Sequence, residues 1–218
     1  MTAYEAAIFD FGGVFTTSPV ESFAAFEREY ALPERFLGGV IKRNHHTNAW
    51  ARYERAEIGL EQFDALFAEE TRAAGHEVRG ATLVSLLSLT FRPEMIEALA
   101  RVKQAGFRTG CITNNLPEID SRAMLAASES REQFDCIHAN FDCIIESSKA
   151  GVRKPEPLIY EMMCEALDVS PRACVFMDDL GINLKPARDM GMATIKVPFG
   201  DVAPAIVALE RVLGLALR

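Results

Sequence analysis

The sequence has no uninterrupted apolar stretch near the roughly 18 residues of a membrane span, so no membrane partner is expected. It also lacks any run of lysine or arginine. Its 23 basic residues are outnumbered by 31 acidic ones, for a formal net charge of −8. Nucleic acid needs clustered positive charge, so that class of partner is disfavoured as well. The first residues carry no basic region followed by an apolar segment, and a secretory signal is not expected. Cys-x-x-Cys spacing is absent. The five cysteines, Cys111, Cys136, Cys143, Cys164 and Cys174, are an odd set in mostly apolar settings. They read as reduced thiols of a cytoplasmic protein.

What is present is enough apolar material for a sizeable core. Hydrophobic residues make up 49% of the 218 and charged residues 25%, which suits one domain or a core with a smaller lobe. The most informative stretch is Ala6-Ala7-Ile8-Phe9-Asp10-Phe11-Gly12-Gly13-Val14-Phe15. A short apolar run ends on a carboxylate, and two glycines let the backbone turn at once. A strand there delivers Asp10 to the carboxyl edge of its sheet, where open α/β sheets bind ligands. Asp10 can attack a substrate, hold a cation, or cap the turn.

From Thr16 to about Thr90 nothing reads as a strand of a parallel sheet. Helical spacing appears over Glu21 to Tyr30, Trp50 to Ala56 and Leu60 to Ala74, and Phe36 to Ile41 is apolar around Gly38-Gly39. After Arg92 strands and helices alternate. Strands are predicted at Phe107–Ile112, Phe141–Ile145, Ala173–Met177 and Ala193–Val197. Helices are predicted from Pro93, near Glu118, and from Pro155, Asn183 and Pro204, while 128–140 has no clear pattern. The expected fold is α/β, a Rossmann-like doubly wound parallel sheet over residues 1–15 and 89–218, with a small helical cap at 16–88 inserted after the first strand.

The polar residues fall at strand ends. Asp10 ends the first strand, Thr113-Asn114 the second, and Asp178-Asp179 a later one, while Lys154 stands just before a helix. Three carboxylates, a lysine and a hydroxyl on one sheet edge suit a phosphate held beside a divalent cation. Carboxylate oxygens are hard ligands of the kind magnesium takes. Lys154 balances phosphate charge, and Thr113 and Asn114 can hold its oxygens. His45, His46 and Arg43 lie in the inserted segment, either as part of a solvated polar loop or as groups that select the substrate.

These motifs, in this order, resemble the haloacid dehalogenase superfamily, mostly phosphatases with a Rossmann-like core and an inserted cap. Asp10-Phe11-Gly12-Gly13-Val14 is similar to its first motif, Cys111-Ile112-Thr113-Asn114 to its second, Lys154 to its third and Asp178-Asp179 to its fourth. Within the superfamily the likeness is to the N-terminal phosphatase domain of soluble epoxide hydrolases, carried by 144–147, 153–160 and 178–189 and weakest over 31–90. The resemblance implies a magnesium-dependent phosphatase acting on a small phosphorylated metabolite. Asp10 would be the nucleophile, and Asp10, the Gly12 carbonyl, Asp178 and Asp179 would be the metal set. Epoxide hydrolysis is not implied, since that chemistry needs a nucleophile elbow that this sequence lacks. One departure matters. Gly12 stands where the family's acid–base aspartate is usual, which leaves two other readings open: a binding protein that kept the fold, or a 2-haloacid dehalogenase.

Overall fold

The computed structural model describes residues 4–87, 90–117 and 128–217. Strand β1 (Ala6–Phe9) is wholly buried. Alternate side chains of a strand face opposite ways, and here Ala6 and Ile8 enter one core while Ala7 and Phe9 enter another. A strand buried on both faces reads as a continuous apolar run, the mark of a parallel sheet. The other strands are β2 (Arg108–Thr113), β3 (Cys143–Glu146), β4 (Cys174–Asp178) and β5 (Ala193–Lys196). All pair in parallel, in the order β3-β2-β1-β4-β5. Each predicted strand is found.

Between β1 and the return of the chain to the sheet domain, the described residues form five helices: α1 (Pro19–Glu29), α2 (Phe36–Lys42), α3 (Ala49–Glu54), α4 (Leu60–Ala73) and α5 (Gly80–Ser85). They build a hydrophobic cluster of their own around Phe23, Leu37, Trp50, Tyr53, Phe63 and Phe67, with Tyr53 stacked on Phe63 at 4.6 Å. The chain leaves and re-enters the sheet domain through two antiparallel segments bridged at Thr16 and Phe91. Across them Thr17 N–H donates to Thr90 C=O at 2.9 Å and Arg92 N–H to Phe15 C=O at 2.8 Å.

Helix α6 (Pro93–Gln104) begins on a proline in its first turn and covers one face of the sheet through Met95, Leu99 and Val102. Then come α7 (Ser128–Ala139), α8 (Ser147–Ala150), α9 (Pro157–Ala166), α10 (Gly181–Asp189) and α11 (Ala203–Leu213). Helices α7 and α11 share the face of α6, while α9 and α10 cover the other through Ile159, Tyr160, Met163 and Leu184. The helix predicted near Glu118 lies outside the described residues.

Among the described residues four helices escaped the sequence reading: α2, α5, α7 and the four-residue α8. Helix α2 contains Gly38-Gly39 and opens on a left-handed Arg35 without a cap of its own. It forms because Leu37 and Val40, three apart, are buried, and because Glu27 accepts from the N–H groups of Arg35 and Leu37, both at 2.8 Å. The large apolar side chains of helix α7 are Phe134 and Ile137, and the buried Ile137 anchors it. Helix α5 is only six residues long.

Candidate active site

The strand order reverses at β1. Strands β2 and β3 lie to one side and β4 and β5 to the other, so the crevice at the carboxyl ends of β1 and β4 is the place for a ligand. Phe9 pairs with Met177, and Asp10 N–H donates to Met177 C=O at 2.8 Å, which sets Asp10 beside Asp178 and Asp179. Ligand oxygens of the three carboxylates lie within 4.8 Å of one another, and all three residues are buried. Lys154, 1% exposed, joins two of them: its Nζ stands 2.7 Å from Asp10 Oδ1 and 2.8 Å from Asp178 Oδ2.

The charges do not cancel. Burial pushes the Asp10 carboxyl well above the usual range, opposed by Lys154 and reinforced by Asp178 and Asp179. Burial, then the adjoining Asp178, lifts Asp179 to about 6. Lys154 is disfavoured by its burial, yet Asp10 and Asp178 hold its ammonium firmly protonated. A set of hard oxygens with surplus negative charge fits a divalent cation.

The two members of the acidic pair differ in freedom. Asp178 accepts from Leu180 N–H at 2.7 Å and, on both oxygens, from Asn183 Nδ2 at 3.1 Å, in addition to Lys154. Asp179 accepts on Oδ2 from Ser18 Oγ at 2.6 Å. Gly13 makes room for that carboxylate, since a Cβ there would stand 2.3 Å from Asp179 Cγ, and its φ of +78° favours glycine. Arg92 Nη1 fixes the turn by donating to Gly13 C=O at 2.9 Å. Gly12, by contrast, lies outside the left-handed region, and a Cβ on it would meet only Pro19 Cδ at 3.9 Å.

Thr113 ends β2 level with Glu146, on the same sheet edge as Asp10. Asn114 is committed elsewhere. Its Oδ1 accepts from Lys154 N–H and its Nδ2 donates to Lys154 C=O, both at 2.9 Å, so it holds the lysine's peptide. His45 and His46 pack ring to ring at 4.0 Å, and Arg43 is exposed at the end of α2. This segment meets the sheet domain through a carbonyl: His45 C=O accepts from Arg153, while His46 C=O accepts from Arg55 within the lobe, both at 2.9 Å. Burial, then His46 and Arg153, lowers the His45 pKa.

Sequence reasoning passed over Ser18, Glu54 and Asn183. Ser18 carried a signal, because Ser18-Pro19-Val20-Glu21 is a capping box and the structure forms both of its hydrogen bonds. Glu54 and Asn183 carried none, being single polar residues in helical patterns.

The sequence pattern of the haloacid dehalogenase-like hydrolases matches residues 4–191. The chain belongs to that family. It is 34% identical to bifunctional epoxide hydrolase 2 of Sus scrofa over 99% of its own length and 40% of that protein. The chain therefore spans about two fifths of that relative. Similarity to the sesquiterpene phosphatase astK of Aspergillus oryzae is 27%, over 98% of each chain. In fold it is similar to a magnesium complex of a haloacid dehalogenase family enzyme from Bacteroides thetaiotaomicron, with a TM-score of 0.63, 16% identity, and coverage of 94% of this chain and 98% of that one. As a haloacid dehalogenase-like hydrolase, the protein is an enzyme. Among the described residues no helix is long and apolar enough to cross a membrane.

Proposed function

We propose that the protein is a magnesium-dependent phosphatase that hydrolyses a small phosphate ester through Asp10, with residues 16–88 as the cap that selects the substrate. The observation that carries this reading is the buried cluster of Asp10, Asp178 and Asp179 bridged by Lys154. Asp10, Asp179 and Asp178, with the Gly12 carbonyl, would hold the ion. Bound there, magnesium would neutralise the carboxylates and polarise a phosphoryl oxygen.

The described contacts of Asp10 fall on Oδ1, from Phe11 N–H at 2.7 Å and from Lys154, which leaves Oδ2 to attack phosphorus. The phosphorus–oxygen bond to the leaving alcohol breaks as the aspartyl phosphate forms. Water then hydrolyses that acyl phosphate, releasing inorganic phosphate and restoring the carboxylate. Lys154 balances the transferred charge throughout, and Thr113 lies on the edge where phosphate oxygens would rest. Gly12 offers no proton, so substrates whose leaving groups need little protonation, such as sugar anomeric or acyl phosphates, suit the site best. Five free thiols suit a reducing, cytoplasmic setting.

The test is a panel of phosphate esters with the purified protein and Mg²⁺, read as phosphate release. Asp10→Asn should abolish turnover while the fold persists, because an amide neither attacks nor carries charge. Retained turnover in that variant would sink the mechanism. Release of halide from 2-haloacids in place of phosphate would assign the dehalogenase reading.

A further inference from the structure

A buried ion pair joins the helical lobe to the sheet domain, and the scheme above does not use it. Glu54, the last residue of α3, and Arg153 are 5% and 7% exposed, and Arg153 Nε donates to Glu54 Oε2 at 2.5 Å. The same oxygen is 3.4 Å from Asn114 Nδ2, the amide that clamps the Lys154 peptide on both its N–H and its C=O. Glu54 thus touches both supports of Lys154: the side chain of the preceding residue and the residue that grips its backbone. A buried pair of charges adds little net stability compared with apolar packing, so its presence at a boundary needs another reason. Position supplies one, because Lys154 Nζ meets two carboxylates at 2.7 and 2.8 Å, a geometry that tolerates little displacement.

We infer that Glu54 is a positioning residue for Lys154: seating of the helical lobe sets the lysine against Asp10 through Arg153 and Asn114. The kinetic part of this inference rests on the proposed phosphatase reaction, and the structural part on geometry alone. The experiment uses the full chain with Glu54→Gln. It measures amide hydrogen exchange at Lys154 alongside kcat and KM for p-nitrophenyl phosphate with Mg²⁺. The Lys154 amide should exchange on the order of 10-fold faster than in the wild type, while amides of β1 and β4 keep their rates. The kcat should fall about 10- to 100-fold, as it does when the outer support of a site group is removed, with KM moving far less. A mere staple would lower the unfolding temperature and leave both readouts unchanged below it. Arg153→Lys is the second variant, should an uncompensated buried charge keep the first from folding. It keeps the cation but loses the planar fork and should act in the same direction. A folded variant with wild-type exchange at Lys154 overturns the inference, and so does faster exchange with wild-type kcat. If the wild type itself releases no phosphate, faster exchange still supports the positioning of Lys154, and only the proposed reaction falls.

Discussion

Two adjacent glycines do different work in this protein. Gly13 has no substitute, because any side chain there would occupy the space of the Asp179 carboxylate. Gly12 has room and an ordinary backbone conformation. Gly12→Asp should therefore fold and place a second carboxylate beside Asp10. Acid–base help is typically worth about 10² to 10⁴ in rate, so turnover of alkyl phosphates should rise toward that range, with the largest gain for poor leaving groups. An unchanged rate on a folded variant, with activity lost in His45→Ala or His46→Ala, would mean that a cap histidine already supplies the proton. The acidic pair gives a second expectation. Asp178 is tied to Lys154, Leu180 and Asn183, whereas Asp179 meets Ser18. Asp179→Ala should weaken Mg²⁺ binding more than Asp178→Ala, and Asp178→Ala should cost more stability, since Lys154 would be left with Asp10 as its only described carboxylate. Calorimetric titration and thermal unfolding of both variants check the pair, and equal or reversed effects on Mg²⁺ would overturn the assignment. The charged residues of this site were legible in sequence because each closes an apolar strand or precedes a proline-led helix. The residues that hold them were not. Glu54 reaches Arg153, a partner 99 positions away, and no local pattern announces such a contact.

Among the elements, strands were easier to read than helices. Strands β1 and β4 are apolar runs buried on both faces, which leaves no polar alternation to confuse them, while β2, β3 and β5 each keep a short apolar stretch between turn residues. Helix α2 was hidden by its glycine pair, which weakens helix propensity by about 1 kcal/mol per residue relative to alanine. Its stabilisation comes from outside its own segment, through the Glu27 carboxylate at its N-terminus. Glu27→Ala leaves two N–H groups without that acceptor and should destabilise the protein by about 1–3 kcal/mol. Urea unfolding measures this. A midpoint equal to that of the wild type would show that α2 is held by Leu37 and Val40 alone. Helix α7 was hidden for a different reason: it meets the rest of the sheet domain through the buried Ile137 and through Phe134 and His138 against Phe11, too few apolar positions to give a period.

At the scale of the whole molecule, the sheet order and the inserted lobe together gather the site from residues far apart in the chain. Strand alternation after Arg92 made the sheet legible, while the order of its strands follows from pairing that no local segment contains. The central strand is the first to be synthesised. Its two neighbours begin at Arg108 and Cys174, so β1 leaves the ribosome long before either is available to it. Hydrophobic contacts within α1 to α5 are local and can form early, but the Asp10–Lys154–Asp178 bridge spans 168 positions and must wait for β4. Pairings of such separation are slow to form, since the loop between them must be closed first. A nascent chain halted before Cys174 would therefore carry Asp10 at the end of a strand with one side unpaired, and the buried acidic cluster is complete only once β4 has arrived.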